Sequence, residues 1–424
     1  MNRKRVLRRV GWTTTLVGLV VLSTGANVAR GEDDYKTLGG GVKYEAAGEY
    51  SVERCNQILT SELAEFSSFP IAYPAAKNAV RLYRVVYPTV VPEQNNRPLA
   101  VSGLIAVPQP VQGTVPIVSY QHGTVFSRSE VPSSPEESSE TRLMIANFAG
   151  QGYVVIAADY VGKGVSNEGD AFVVKDATAQ ACLDMLSAAR AVCADLHVPT
   201  GELFLSGWSQ GAYNTLVFLR KLETLGMPVK ATALAATPSD VYLLVNRLMN
   251  VSSELDVHWV VGVICLLVNS YEHYYGLPGL SQAAIKPEYW QAARDLYENK
   301  ITWTEAEKRL PFKTKDLLTE SFVASGSVVG NRFFRQLQEN EAYCWRAKTP
   351  ARLYYGQIDE VVAPHIATLP VKYQETMGGA SMEAVFAGEK ADHRAAFLFG
   401  IKDQKAWFDS LRALSGPSSA GRSP

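Results

Sequence analysis

The sequence predicts an α/β fold with a mainly parallel sheet, flanked by helices and interrupted once by a helical insertion. Three observations carry that expectation. From about residue 80, short apolar runs of strand length alternate with stretches of helical spacing. Between about residues 243 and 345 the alternation lapses into a stretch rich in Leu, Tyr and Trp, and afterwards it resumes. One of the short runs ends in Gly207-Trp208-Ser209-Gln210-Gly211 and passes straight into a helical pattern.

Composition bounds the rest. A chain of 424 residues accommodates one large domain or two to three ordinary ones. Hydrophobic residues make up 47%, enough for a large core and too many for a disordered chain. Lys plus Arg is 41 against 42 Asp plus Glu, a net charge of -1. Nucleic-acid binders carry a basic excess, so that class is not expected.

Taken in order, residues 1–9 carry five basic groups and no acid, and an apolar run follows over about 10–22. Ser23, Thr24, Gly25 and Ala26 come next. This three-part layout predicts a signal peptide over 1–29, cleaved after Ala26 or Ala29, and a secreted or periplasmic protein. The run is shorter than the ~20 residues a spanning helix needs. Cys55 is the first cysteine, too far along for lipid attachment. Residues 83–87 alternate as a strand, and 99–108 form another that Pro108 ends. Short apolar runs at 116–120, 153–158 and 202–206 suit buried strands, as do 230–236, 351–355 and 382–386. Helices are expected over 141–150, 176–194, 212–222 and 395–414. The core then divides into 30–242 and 346–414 around a helical cap at 243–345, and 415–424 reads as a disordered tail.

Cys55, Cys182, Cys193, Cys265 and Cys344 show no zinc-binding spacing. Cys182 and Cys193 fall in one helix at a separation of ~16 Å, too far for a bond. Buried thiols are expected for most of the five. No metal or cofactor motif is present. The glycines of Asp159-Tyr160-Val161-Gly162-Lys163-Gly164 lack both the phosphate-loop pattern and the third glycine of a dinucleotide site, so they read as a structural turn.

Chemistry centres on Ser209. A G-x-S-x-G pentapeptide between strand and helix is the nucleophile elbow, whose glycines make room for a crowded backbone. A serine hydroxyl is a poor nucleophile at neutral pH and needs a general base oriented by an acid. In elbow folds the acid and then the base follow the serine in the chain. Asp359 stands just past the strand 351–355 and is chosen over Glu360. His393 stands between the last strand and the final helix and is chosen over His365. Oxyanion donors are expected from the N–H groups of Gln210 and Thr124, with Val125 as the alternative to Thr124. His122 reads as a structural brace of that loop. Residues 257–268 are the most apolar stretch after the leader and too short to span a membrane. They read either as a buried cap helix or as a helix with one face on an acyl pocket. In the second case Val263, Leu267 and Tyr274 bind substrate.

These residues resemble the α/β-hydrolase superfamily and, within it, the secretory lipase family of lipase-A-like esterases. The resemblance lies in Tyr120-Gln121-His122-Gly123, in Gln151-Gly152-Tyr153-Val154-Val155 leading to Asp159-Tyr160-x-Gly162, in the elbow, and in Gly356-Gln357-Ile358-Asp359-Glu360. It covers about 80–240 and 345–410. It implies a helical cap and cofactor-free hydrolysis of carboxylic esters, often acyl glycerols. The expected partner is a small-molecule or lipid ester, with transient contact at a lipid interface. Ala212 departs from the second glycine that many relatives carry after the elbow. A prolyl-oligopeptidase-like peptidase shares the triad order, but residues 32–80 are too few for its propeller. A non-catalytic binding protein usually lacks a triad member, and here none is missing.

Overall fold

Continuous apolar runs become strands covered on both faces, and alternating runs become strands with a wetter side. A computed structural model describes residues 35–251, 253–324 and 328–414 of the chain. Its strands are β1 (Lys36–Thr37), β2 (Lys43–Tyr50), β3 (Ala79–Val91), β4 (Arg97–Gln109), β5 (Val115–Gln121), β6 (Val154–Ala158), β7 (Thr200–Trp208), β8 (Ala231–Ala235), β9 (Ala351–Gly356) and β10 (Met382–Gly388). They form one sheet in the order β1-β2-β3-β4-β6-β5-β7-β8-β9-β10. From β6 across to β10 all neighbours run parallel. Strands β1 to β4 are antiparallel to one another, and β4 is antiparallel to β6. The expected α/β sheet is thus mixed, parallel from β6 to β10, and its strand β7 leads into Ser209.

Side-chain alternation assigns the two layers. Ile105, Ile117, Ile156 and Leu205 face the helices Lys175–Asp195 and Gln210–Thr224. Leu104, Val118, Val155 and Phe204 face the opposite layer, made by Ser139–Phe148 and His393–Leu414. Every residue of β5, β6 and β8 is buried. Strand β4 changes character along its length. Its first residues alternate, and its second half is buried where Gly103 to Ala106 pair with β6. Gly103 has no room for a side chain, because a Cβ there would stand 2.5 Å from the Ala157 carbonyl oxygen.

Among the described residues between β8 and β9 the chain is mainly helical, with an isolated bridge between Ile285 and Leu318. The longer helices of this segment are Val241–Asn250, Trp259–Tyr274, Trp290–Tyr297 and Val328–Glu339. Asp240 caps the first of them by accepting the Leu243 N–H at 2.8 Å. Leu244, Val245 and Leu248 then turn one face inward, toward the apolar helix Trp259–Tyr274. All five cysteines are free, and Cys182 and Cys193 share the helix Lys175–Asp195. Among the described residues no helix is long and apolar enough to cross a membrane. The expected signal peptide at 1–29 lies outside the described residues, and so does the expected tail at 415–424.

Candidate active site

Strand β7 ends at Trp208 and the next helix begins at Gln210, so the whole turn is made at Ser209. Its φ of 56° and ψ of -124° lie where L-residues are strained, at a cost of roughly 1–3 kcal/mol. The Ser209 N–H is held by the Ala235 carbonyl at 2.9 Å. Both flanking glycines are required by close approach. A Cβ on Gly207 would meet the Gly211 carbonyl oxygen at 2.3 Å, and one on Gly211 would meet the Gln121 carbonyl oxygen at 1.9 Å.

Ser209 Oγ stands 2.8 Å from His393 Nε2. His393 Nδ1 is 2.9 Å from Asp359 Oδ1 and 3.0 Å from Oδ2. The Asp359 carboxylate also accepts the N–H groups of Val361 and Val362, at 2.9 and 2.8 Å. A carboxylate held by two amides is fixed in direction, and it fixes the imidazole in turn. The histidine backbone is pinned as well. Its N–H donates to Glu360 Oε2 at 3.1 Å, and its carbonyl accepts Trp208 Nε1–H at 3.1 Å. Glu360 therefore holds His393 by its backbone, while Asp359 reaches the ring. His365 is exposed on the short helix Pro364–Ala367, away from this chain of bonds.

Exposure of Ser209, Asp359 and His393 is 7%, 6% and 2%, so little water screens their interactions. Burial by itself pushes the His393 imidazole down. The charge and hydrogen bond of Asp359, together with the charges of Glu360 and Asp392, outweigh it, and the net shift is upward from the usual 6.5. His122 shows the opposite balance. It is buried with no carboxylate on its ring and is pushed down to about 4. It stays neutral, stacks on Tyr160 at 4.2 Å and bonds the Gly123 carbonyl from Nδ1 at 2.8 Å.

No family model matches the chain, and no curated protein matches its sequence. Solved structures do match. An inferred hydrolase of Legionella pneumophila superposes with a TM-score of 0.75 at 23% identity, over 88% of this chain and 99% of that one. The rice cell wall degrading esterase LipA of Xanthomonas oryzae gives 0.72 at 20% identity, over 91% and 98%. Candida antarctica lipase A gives 0.62 at 18% identity, over 80% and 79%. This chain has the α/β-hydrolase fold. At these identities the likeness speaks for the fold.

In that hydrolase fold, Thr124, Ser209 and Gln210 open on one apolar cavity of about 40 Å³. Val263 and Leu267 line it from the helix Trp259–Tyr274, and Leu244 and Leu248 line it from Val241–Asn250. No hydrogen-bond partner for the Thr124 or Gln210 N–H is found among the described residues. The sequence reading missed Leu244, Leu248, Phe172, Trp259, Val361 and Val362, all of which line the same cavity. The spacing of Leu244 and Leu248 is the signal that could have found the first two. Tyr274 is not brought to the cavity, which corrects the expectation for it. It is buried in the core and its hydroxyl donates to the Gly169 carbonyl. A larger cavity of about 550 Å³ lies between Asn269 and Glu298. Its acids are occupied, since Glu272 accepts the Ser281 N–H and Glu298 pairs with Arg294. Among the described residues no cluster of metal-ligating side chains occurs.

The two histidines should separate in a pH titration followed by NMR. His393 is expected to titrate above 6.5, and His122 to remain neutral down to about pH 5. In Asp359→Asn the charge and hydrogen bond that chiefly oppose burial are lost and only the charges of Glu360 and Asp392 remain against it, so the His393 midpoint should fall relative to the wild type.

Proposed function

We propose that the chain is an exported serine hydrolase of carboxylic esters. The observation that carries this reading is the continuous chain from Ser209 Oγ through His393 to Asp359, with its serine facing an apolar cavity. Ser209 Oγ attacks the ester carbonyl carbon while His393 Nε2 takes its proton. Asp359 holds the resulting imidazolium. The carbonyl oxygen becomes an oxyanion and is met by the N–H groups of Gln210 and Thr124. Collapse expels the alcohol, which takes the proton back from His393. Water, activated by the same histidine, then releases the acid from the acyl-serine. No step needs a cofactor.

Structures described as an esterase and as a lipase share the fold, which supports an ester substrate. Strands β1 to β3 belong to the main sheet, so residues 36–91 are part of the hydrolase-like core. Export rests on the sequence of residues 1–29. The cavity of about 40 Å³ holds little more than water, so an acyl chain enters only when the helices Val241–Asn250 and Trp259–Tyr274 part. In this reading Val263 and Leu267 contact the chain.

On a short nitrophenyl ester, Ser209→Ala should lose several orders of magnitude in kcat while keeping its thermal midpoint. His393→Ala should lose a comparable amount, and His365→Ala should keep the parent rate. Reversed histidine results would reassign the base. Enlarging the cavity wall with Val263→Phe or Leu267→Phe should shift the ratio of kcat/KM between short and long acyl chains. An unchanged ratio with a lowered melting temperature would make the helix packing alone.

A further inference from the structure

Beneath the loop 121–124 lies a carboxyl that the chemistry above does not use. Glu140, on the helix Ser139–Phe148, is 7% exposed. Its Oε1 accepts the Gly123 N–H at 2.7 Å and also the Tyr120 hydroxyl. Gly123 is closed in from two sides. A Cβ there would stand 3.0 Å from the Trp208 ring and 3.2 Å from Glu140 Oε2. The Gly123 carbonyl accepts from His122 Nδ1 at 2.8 Å, and the His122 carbonyl accepts the Tyr160 hydroxyl at 3.2 Å. The peptides before and after Gly123 are thus tied down, and the next residue is Thr124.

Both groups that reach Glu140 Oε1 are donors. A carboxylate offers acceptors alone, and a charged acceptor holds its donors more tightly than a neutral one. We propose that Glu140 is a positioning residue whose carboxylate clamps the Gly123 peptide and so aims the Thr124 N–H at the oxyanion formed on Ser209. The inference rests on the ester-hydrolase reading. Glu140 faces Tyr120 from β5, Tyr160 from the turn after β6, and His393 and Arg394 from the start of the final helix. Burial pushes its carboxyl up to about 7, against the pull of Tyr120 and Gly123. The clamp is therefore charged above neutral pH and neutralised below it. The acid limb of the rate then contains two ionisations, His393 and Glu140.

Steady-state kinetics on p-nitrophenyl acetate with the full chain test this. At pH 8 Glu140→Gln should lower kcat by about ten-fold or more, with KM within about two-fold, because the donor matters only once the oxyanion forms. Its acid limb should show one ionisation where the wild type shows two. Tyr120→Phe is nearly isosteric and removes one donor from the carboxylate, so it should move the second ionisation to higher pH. It also keeps the test alive if Glu140→Gln does not fold. An unchanged kcat and acid limb in Glu140→Gln, or an unmoved limb in Tyr120→Phe, overturns the role. A wild type that hydrolyses no ester brings down the hydrolase reading and this inference with it. An active wild type whose variants match it brings down the inference alone.

Discussion

Ser209 keeps a φ of 56° only because both of its neighbours are fixed. Strand β7 enters between β5 and β8, and the helix Gln210–Thr224 leaves packed on the same sheet. The strain is roughly 1–3 kcal/mol. Each fully buried apolar side chain of that helix contributes about as much or more, and Leu216, Phe218, Leu219 and Leu222 are all fully buried. Packing therefore overrides the local preference of one residue. The glycines at 207 and 211 are consequences of the same constraint, since the turn brings Gly211 against the Gln121 carbonyl. That contact also fixes the end of β5, and with it the loop that carries Thr124.

Around this turn the polar groups are layered. Asp359 is held by two backbone amides, His393 by Asp359 and by two backbone contacts, and Ser209 by His393. Low exposure makes each link worth more than it would be in water. It also divides the buried ionisable groups by their partners. His393, beside a carboxylate, is pushed up, while His122, buried with no carboxylate on its ring, is pushed down. The apolar wall opposite comes from helices between β8 and β9, so sheet and inserted helices meet at Ser209.

The parallel half of the sheet was legible because each of its strands carries a short apolar run. Of the antiparallel part, β3 and β4 were read at 83–87 and 99–108, but the outer strands β1 and β2 were not. Strand β2 reads Lys-Tyr-Glu-Ala-Ala-Gly-Glu-Tyr, and a bulge between Ala46 and Gly48 shifts the register that alternation would have shown. Ser209, Asp359 and His393 were legible because chain order and strand ends restrict each choice, and the structure brings the three together. Glu140 was hidden by its type, since acids are expected at the surface. Tyr274 follows Leu267 on nearly the same helical face, but seven residues of helix carry it ~10 Å farther along the axis. Spacing gives the face of a helix; the neighbouring element decides how far along that face a cavity extends.

The account stands or falls on a nucleophilic Ser209 activated by His393. Mass spectrometry after exposure to a serine-directed phosphonate tests it directly, because the reagent bonds only to an activated hydroxyl. One adduct per chain on the peptide carrying Ser209, absent in the His393→Ala protein, is the expected result. No adduct, or an adduct on another residue of the folded wild type, would contradict it.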